Sequence, residues 1–294
     1  MAFIDELKNG LTEKEKADFH FSGRHFGGAR EDWLGNIFNA KMNQEHRKMF
    51  GQGSGNELRS KAHAVHSSSM LAYNFFHWIS TKNPICIDGV RYTMVFFEVR
   101  IPCIKQSKTN MDVVLSTDDF SSVLFIESKF TEHYGVACSD MKNMSTSYDD
   151  PRNYYATTMN WPKIIKEYRE LSQNNAGFYN GIKQEICHMI ALEALHGSKH
   201  ARGLFAKMNS PFRVTNETKM SFKSVLFEPK NDLERSAHKN YCELLKQFHG
   251  AIHDFVPFSV AQITYSDLWK SASCNMPGDV KAFLKRRYMD FAFL

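Results

Sequence analysis

The stretch Asn110–Glu132, NMDVVLSTDDFSSVLFIESKFTE, decides the reading of this chain. Two runs rich in β-branched and aromatic residues, MDVVLST and SSVLFIESKF, flank a short polar loop, which is the pattern of a β-hairpin. Folding the chain symmetrically about Asp118–Ser121 sets Ser116 opposite Val123, Val114 opposite Phe125 and Asp112 opposite Glu127. Side chains alternate along a strand, so Asp112, Glu127 and Lys129 point to one side of the sheet. Two carboxylates opposed across strands repel by up to ~1 kcal/mol. A sequence that keeps them there, beside a lysine and at the end of an apolar face, is arranged to hold a cation.

An acid, a second strand and then acid-x-Lys (Asp112, the hairpin, and Glu127-Ser128-Lys129) resembles the signature of the PD-(D/E)xK nuclease superfamily. The surrounding wording, MDVVL and IESKFTE preceded by HSSSMLAYNFF at His66–Phe76, is similar to a group of type II-like restriction endonucleases within it. Met111 stands where the motif name has proline, a position often not proline. The resemblance implies a metal-dependent endonuclease that hydrolyses DNA, a restriction or defence role, and in many such enzymes a homodimer. It also implies an auxiliary glutamate near the metal. Glu57, on the helix before the core sheet, and Glu98, on the strand beside the hairpin, compete for that place. Gln184 loosely matches a polar residue that turns toward the site from the helix after the lysine strand.

Composition sets the outer bounds. At 294 residues with 43% hydrophobic and 13% aromatic content, the chain can bury a large core. No run approaches the roughly 18 apolar residues of a membrane span. The opening MAFIDELKNG lacks a basic-then-apolar export pattern. Six cysteines without a CxxC pair fit reduced thiols in a cytoplasmic chain and argue against a zinc ribbon. A net charge of +5 is compatible with a polyanionic partner and decides nothing alone.

Outward from the hairpin, residues 1–55 read as an N-terminal helical appendage and 56–294 as the nuclease-like core with C-terminal additions. RHFGGAR at Arg24–Arg30 reads as a glycine-broken loop, and GQGSGN at Gly51–Asn56 as a flexible joint. Leu58, Ala62, Val65, Ala72, Phe76 and Ile79 predict one long helix over Glu57–Ile79, capped by Asn56. An acid in its first turn also suits the helix dipole, so Glu57 has a purely structural reading too. YTMVFFEVRIPCI at Tyr92–Ile104 reads as a central strand covered on both faces, with Pro102 ending its regular pairing. His133–Asn153 reads as a long polar connection beside the site, and Tyr154, Tyr155 and Trp161 as either core edge or base-stacking aromatics. GIKQEICHMIALEAL at Gly181–Leu195 reads as a buried helix whose Gln184 and His188 share a face. Strands at Met220–Glu228 and Phe258–Tyr265, a helix at Asp232–Phe255 and one opening at Pro277 complete the chain. Lys285-Arg286-Arg287 reads as a solvated basic triplet. The fold class is therefore α/β, a restriction-endonuclease-like core with a central mixed β-sheet flanked by helices.

Hard carboxylate oxygens from Asp112 and Glu127 suit Mg2+ (or Mn2+), with the Ser128 carbonyl as a further oxygen. Lys129 then orients or deprotonates a water and stabilises negative charge on phosphate. His63/His66 and His196/His200 lack third ligands and are read as ordinary polar histidines. Other readings of the same residues are a non-catalytic nucleic-acid-binding or interaction module that retains the nuclease fold, a hydrolase of non-nucleic phosphoesters, or an exposed Glu-x-Lys ion pair worth ~0–1 kcal/mol.

Overall fold

Alternating apolar residues with both faces covered build the sheet on which everything else is hung. The computed structural model describes residues 11–13, 19–22, 25–30, 33–52, 58, 61–64, 66–130, 141–155, 157–174, 181–229 and 232–289. In chain order, β1 (Phe19–Ser22) and β2 (His25–Arg30) form an antiparallel ribbon, and α1 (Gln44–Gln52) and α2 (Ser68–Phe76) follow. A second ribbon, β3 (Ile85–Ile87) with β4 (Val90–Tyr92), precedes the main strands β5 (Met94–Ile104), β6 (Ser107–Ser116) and β7 (Ser122–Lys129). Three helices come next, α3 (Trp161–Asn174), α4 (Ile182–Gly197) and α5 (Lys199–Met208). The chain closes with β8 (Lys219–Leu226), α6 (Asp232–Ile252), β9 (Ser259–Thr264), α7 (Tyr265–Ala272) and α8 (Gly278–Leu284).

The main sheet has five strands in the order β5-β6-β7-β8-β9, antiparallel as far as β7 and parallel from β7 to β9. Parallel neighbours need crossovers, and the helical segments α3–α5 and α6 supply them. Val123 and Phe125 of β7 enter one core with α3, α4, α5 and α6, while Leu124 and Ile126 enter the other with α2, α7 and α8. The fold is α/β, a mixed central sheet flanked by helices, as the residue pattern predicts. The hairpin register is also the predicted one, with Val114 opposite Phe125 and Ser116 opposite Val123.

Several expectations give way. No single helix runs over Glu57–Ile79: α2 starts only at Ser68, where the Ser67 hydroxyl accepts from the Met70 N–H at 3.3 Å. Glu57 and Asn56 lie outside the described residues. The expected helical character of residues 1–55 is incomplete, because His25–Arg30 forms β2 rather than a loop, and two glycines do not prevent pairing in a short ribbon. Ile37 and Phe50 from this region pack into the α2 core.

The strand expected to be central, β5, is an edge strand. Its apolar faces reflect covering helices, and its open backbone is closed by a side chain, since Asn209 donates to the Arg100 carbonyl (2.8 Å) and accepts from its N–H (3.3 Å). Pro102 does not end the ladder, which continues irregularly to Ile104 and Ser107. The Met141–Asn153 part of the expected polar loop consists of 3-10 turns that bury Met141, Met144 and Tyr148, while 131–140 lie outside the described residues. Tyr154 and Trp161 are core residues, and the Trp161 indole donates to Glu193 at 2.6 Å. Arg287 is not solvated but buried, donating to Asn36 at 3.3 Å.

Candidate active site

β7 ends its pairing with β6 at Val113–Ile126, one step before Asp112 and Glu127. The next backbone donor, the Ser128 N–H, is taken by the Asp112 carboxylate (2.8 Å to Oδ2). A side chain has thus replaced the ladder, opening a gap between the two strands. In a strand the N–H and C=O of one residue point the same way, so the Ser128 carbonyl faces that gap too. The Ser128 side chain goes through the sheet to the opposite face, where its hydroxyl meets the Tyr265 hydroxyl at 2.7 Å.

Glu127 and Lys129 project toward α4 and are both buried. The Lys129 ammonium donates to Glu127 Oε1 at 2.5 Å and to the Gln184 side-chain oxygen at 2.6 Å. One turn further along α4, His188 Nε2 meets Glu127 Oε2 at 2.8 Å, and its Nδ1 meets the Thr109 hydroxyl of β6 at 3.0 Å. Gly181 permits this helix position. Its φ of +87° suits a residue without Cβ, and a Cβ there would lie 3.1 Å from the Tyr241 ring. Burial by itself would raise the Glu127 carboxyl, but the Lys129 ammonium and His188 outweigh it and hold it down at about 2.

Asp112 behaves oppositely. Its Oδ1 has no hydrogen-bond partner among the described residues. Burial, then the charges of Glu127 and Glu98, push its carboxyl well above the usual range, offset only in part by Lys129 and the Ser128 N–H.

Glu98 reaches this group through a break in the sheet. Phe97 pairs with Val113 and Val99 with Met111, but Glu98 itself has φ +51°, rare for a residue with a side chain. Phe97 and Val113 belong to one core, Val99 and Met111 to the other, so the side-chain alternation inverts across Glu98 and Asp112. Such a backbone costs about 1–3 kcal/mol, and positions of this kind cluster at functional sites. The Glu98 carboxylate accepts from Ser69 (3.4 Å) and Asn110 (3.3 Å).

Asp112, Glu127, Ser128, Lys129, Gln184 and Glu98 therefore come together, while Glu57 lies outside the described residues. Thr109 and His188 join the cluster although the hairpin motif does not reach them, as does Glu185, which accepts from Ser224 at 2.9 Å beside Glu127. The only sequence signal for His188 is its four-residue spacing from Gln184.

The donor set fits a hard divalent cation. Among the described residues no three His, Cys, Asp or Glu side chains form a ready-made ion cage. Both Glu127 oxygens are turned to Lys129 and His188. Mg2+ does not need such a cage, because it binds through one or two carboxylates and retains waters or phosphate oxygens. Three carboxylates crowd the gap, one with an open oxygen, and a backbone carbonyl faces it.

A family model described as restriction endonuclease associating with ARP matches residues 5–197, a span that includes every residue of this cluster up to His188. No curated protein and no solved structure gives a match to the chain. No described helix is long and apolar enough to cross a membrane.

Proposed function

The chain belongs to the family of restriction endonucleases associating with ARP, and from that premise we propose that it is a metal-dependent endonuclease that hydrolyses DNA phosphodiester bonds in a restriction or defence role. The observation that carries the reading is the buried Glu127–Lys129 pair set beside Asp112, a carboxylate crowded by two others. A buried ion pair is a poor stabilising device, often no better than apolar residues of the same size. A half-buried acid kept among like charges is worse still. Metal and phosphate chemistry gives both arrangements a use.

Asp112, through its open oxygen, and the Ser128 carbonyl would hold Mg2+ or Mn2+, with Glu127 or Glu98 as the second carboxylate. A bound divalent cation supplies positive charge at the phosphate and acidifies a water. The protein's own residues do the rest. Lys129 presents its ammonium on the face where Glu127 and Gln184 hold it, ready to orient the attacking water and to meet negative charge developing on phosphate. His188, braced by Thr109, keeps one Glu127 oxygen in place. Ser128 fixes the strand end through Tyr265.

The test is cleavage of supercoiled and linear duplex DNA by the purified chain with Mg2+ or Mn2+. Cleavage that EDTA abolishes is expected; a chain inert on both substrates with either metal contradicts the reading.

A further inference from the structure

We propose that the groove between α6 and the edge strand β9 is a second nucleic-acid contact, holding backbone phosphates of the polynucleotide whose scissile bond lies at Glu127 and Lys129. It rests on the nuclease reading for the identity of the polymer. The groove has a volume of about 590 Å3, and Arg235, Lys239, Lys246, Glu228 and Gln262 line it. It lies in the part of the chain beyond residue 197, outside the family match.

Strand register ties the groove to the site. Glu127 pairs with Ser224, and Ser224 with Gln262, so carboxylate and amide stand in one row of three parallel strands. Partners in such a row project to the same face, here the face covered by α4 and α6. Neighbouring strands lie about 4.8 Å apart, which places Gln262 about 10 Å from Glu127 across the sheet. Ser224, Glu185 and His249 are buried between them, so a polynucleotide reaching both follows the outer surface of the helices.

The charges suit a polyanion. Arg235, Lys239 and Lys246 recur at helical spacing on one face of α6, all exposed, and span about 16 Å at 1.5 Å per residue. Lys239 and Lys246 have no ion pair or hydrogen bond among the described residues. Two acids, Glu228 and Glu243, also border the groove, but Glu243 accepts from Gln247 along the helix at 3.1 Å. Gln262 is half-buried, and its Oε1 is covered with no donor among the described residues. Leaving such an atom unmatched is unfavourable, and a turn of the Gln262 side chain into the groove would let a water bound with the phosphate supply the missing donor.

The experiment measures fluorescence anisotropy of a short labelled duplex in EDTA across a salt series, for wild type, R235A/K239A/K246A and the control K270A/K281A/K285A. The control removes three exposed lysines on the opposite face of the sheet. Each phosphate contact contributes about 0.9 to the slope of log affinity against log salt. The groove variant is expected to bind at least about tenfold more weakly at low salt, with a slope shallower by about 2 to 3, while the control keeps the wild-type slope. A groove variant with the wild-type slope overturns the proposal, even if wild type cleaves DNA. Groove-dependent binding by a wild type that cuts nothing with Mg2+ or Mn2+ upholds the groove and removes the nuclease reading. A wild type that does not bind duplex overturns both.

Discussion

His188 Nε2 lies 2.8 Å from Glu127 Oε2, deep in the α4 face, while the other Glu127 oxygen faces the Lys129 ammonium at 2.5 Å. The carboxylate is thus held at both ends by different elements, α4 and β7. His188 is in turn braced by Thr109 on β6 at 3.0 Å. Three elements meet at one side chain, which gives the site its rigidity.

That relationship predicts a graded response. His188→Ala should weaken Mn2+ binding, measured by calorimetry, by about 10- to 100-fold, the usual range when the support of a ligand is removed. Thr109→Val should cost less, because His188 keeps its Glu127 contact. Equal affinity in all three proteins would show that His188 only fills space.

Glu98 predicts a trade between stability and function. At φ +51° a glycine is unstrained. Glu98→Gly should match or exceed wild type in thermal stability, by up to about 1–3 kcal/mol, and should cut DNA more slowly. Glu98→Ala, which keeps the strain and loses the carboxylate, should slow cleavage without the gain in stability.

The buried pair predicts a double-mutant cycle. Lys129→Met leaves Glu127 in the core with His188 alone beside it, and denaturant unfolding should register a loss of up to about 3–5 kcal/mol. Adding Glu127→Gln should recover much of it, since the two changes share one interaction. Additive losses would mean the two side chains are not coupled as the 2.5 Å contact requires.

Acid stability follows from another buried group. His46 packs against Tyr73 and Phe97, and burial, then the charge of His77, pushes its pKa from 6.5 down to about 4. Between those values the unfolded chain binds the proton and the folded chain does not, so stability falls as pH drops from about 6.5 to about 4. The total loss is on the order of 3 kcal/mol. His46→Leu should flatten the profile of unfolding free energy against pH in that window; an unchanged profile would assign the acid sensitivity to other groups. His77 and His238, also held below the ordinary value by burial, keep some slope in the variant.

The legibility of this chain divides along physical lines. The hairpin was readable because β-branched runs and a short polar loop fix one register, and that register alone sets Asp112 beside Glu127. Gln184 and His188 were visible as a shared helix face, but the partner of that face was not, because side-chain spacing says nothing of which strand lies beneath. Glu98 was recognisable as a candidate, yet its positive φ and the inverted alternation around it are backbone properties that no side-chain pattern encodes. Apolar spacing runs on from Leu58 to Ile79 and predicts one helix, whereas the Ser67 cap starts α2 at Ser68. Arg287 looked solvated since charge argues for solvent, whereas its partner Asn36 lies 251 residues away. β5 looked central because apolar faces report covering helices and not neighbouring strands.

The most direct measurement is single-turnover cleavage of duplex DNA in Mn2+ by wild type, Asp112→Asn, Glu127→Gln and Lys129→Ala, each first shown to unfold cooperatively. The account predicts that every substitution slows cleavage by at least about 100-fold, as loss of a group that stabilises the transition state does. Cleavage at the wild-type rate in all three would contradict it and place the chemistry elsewhere on the chain.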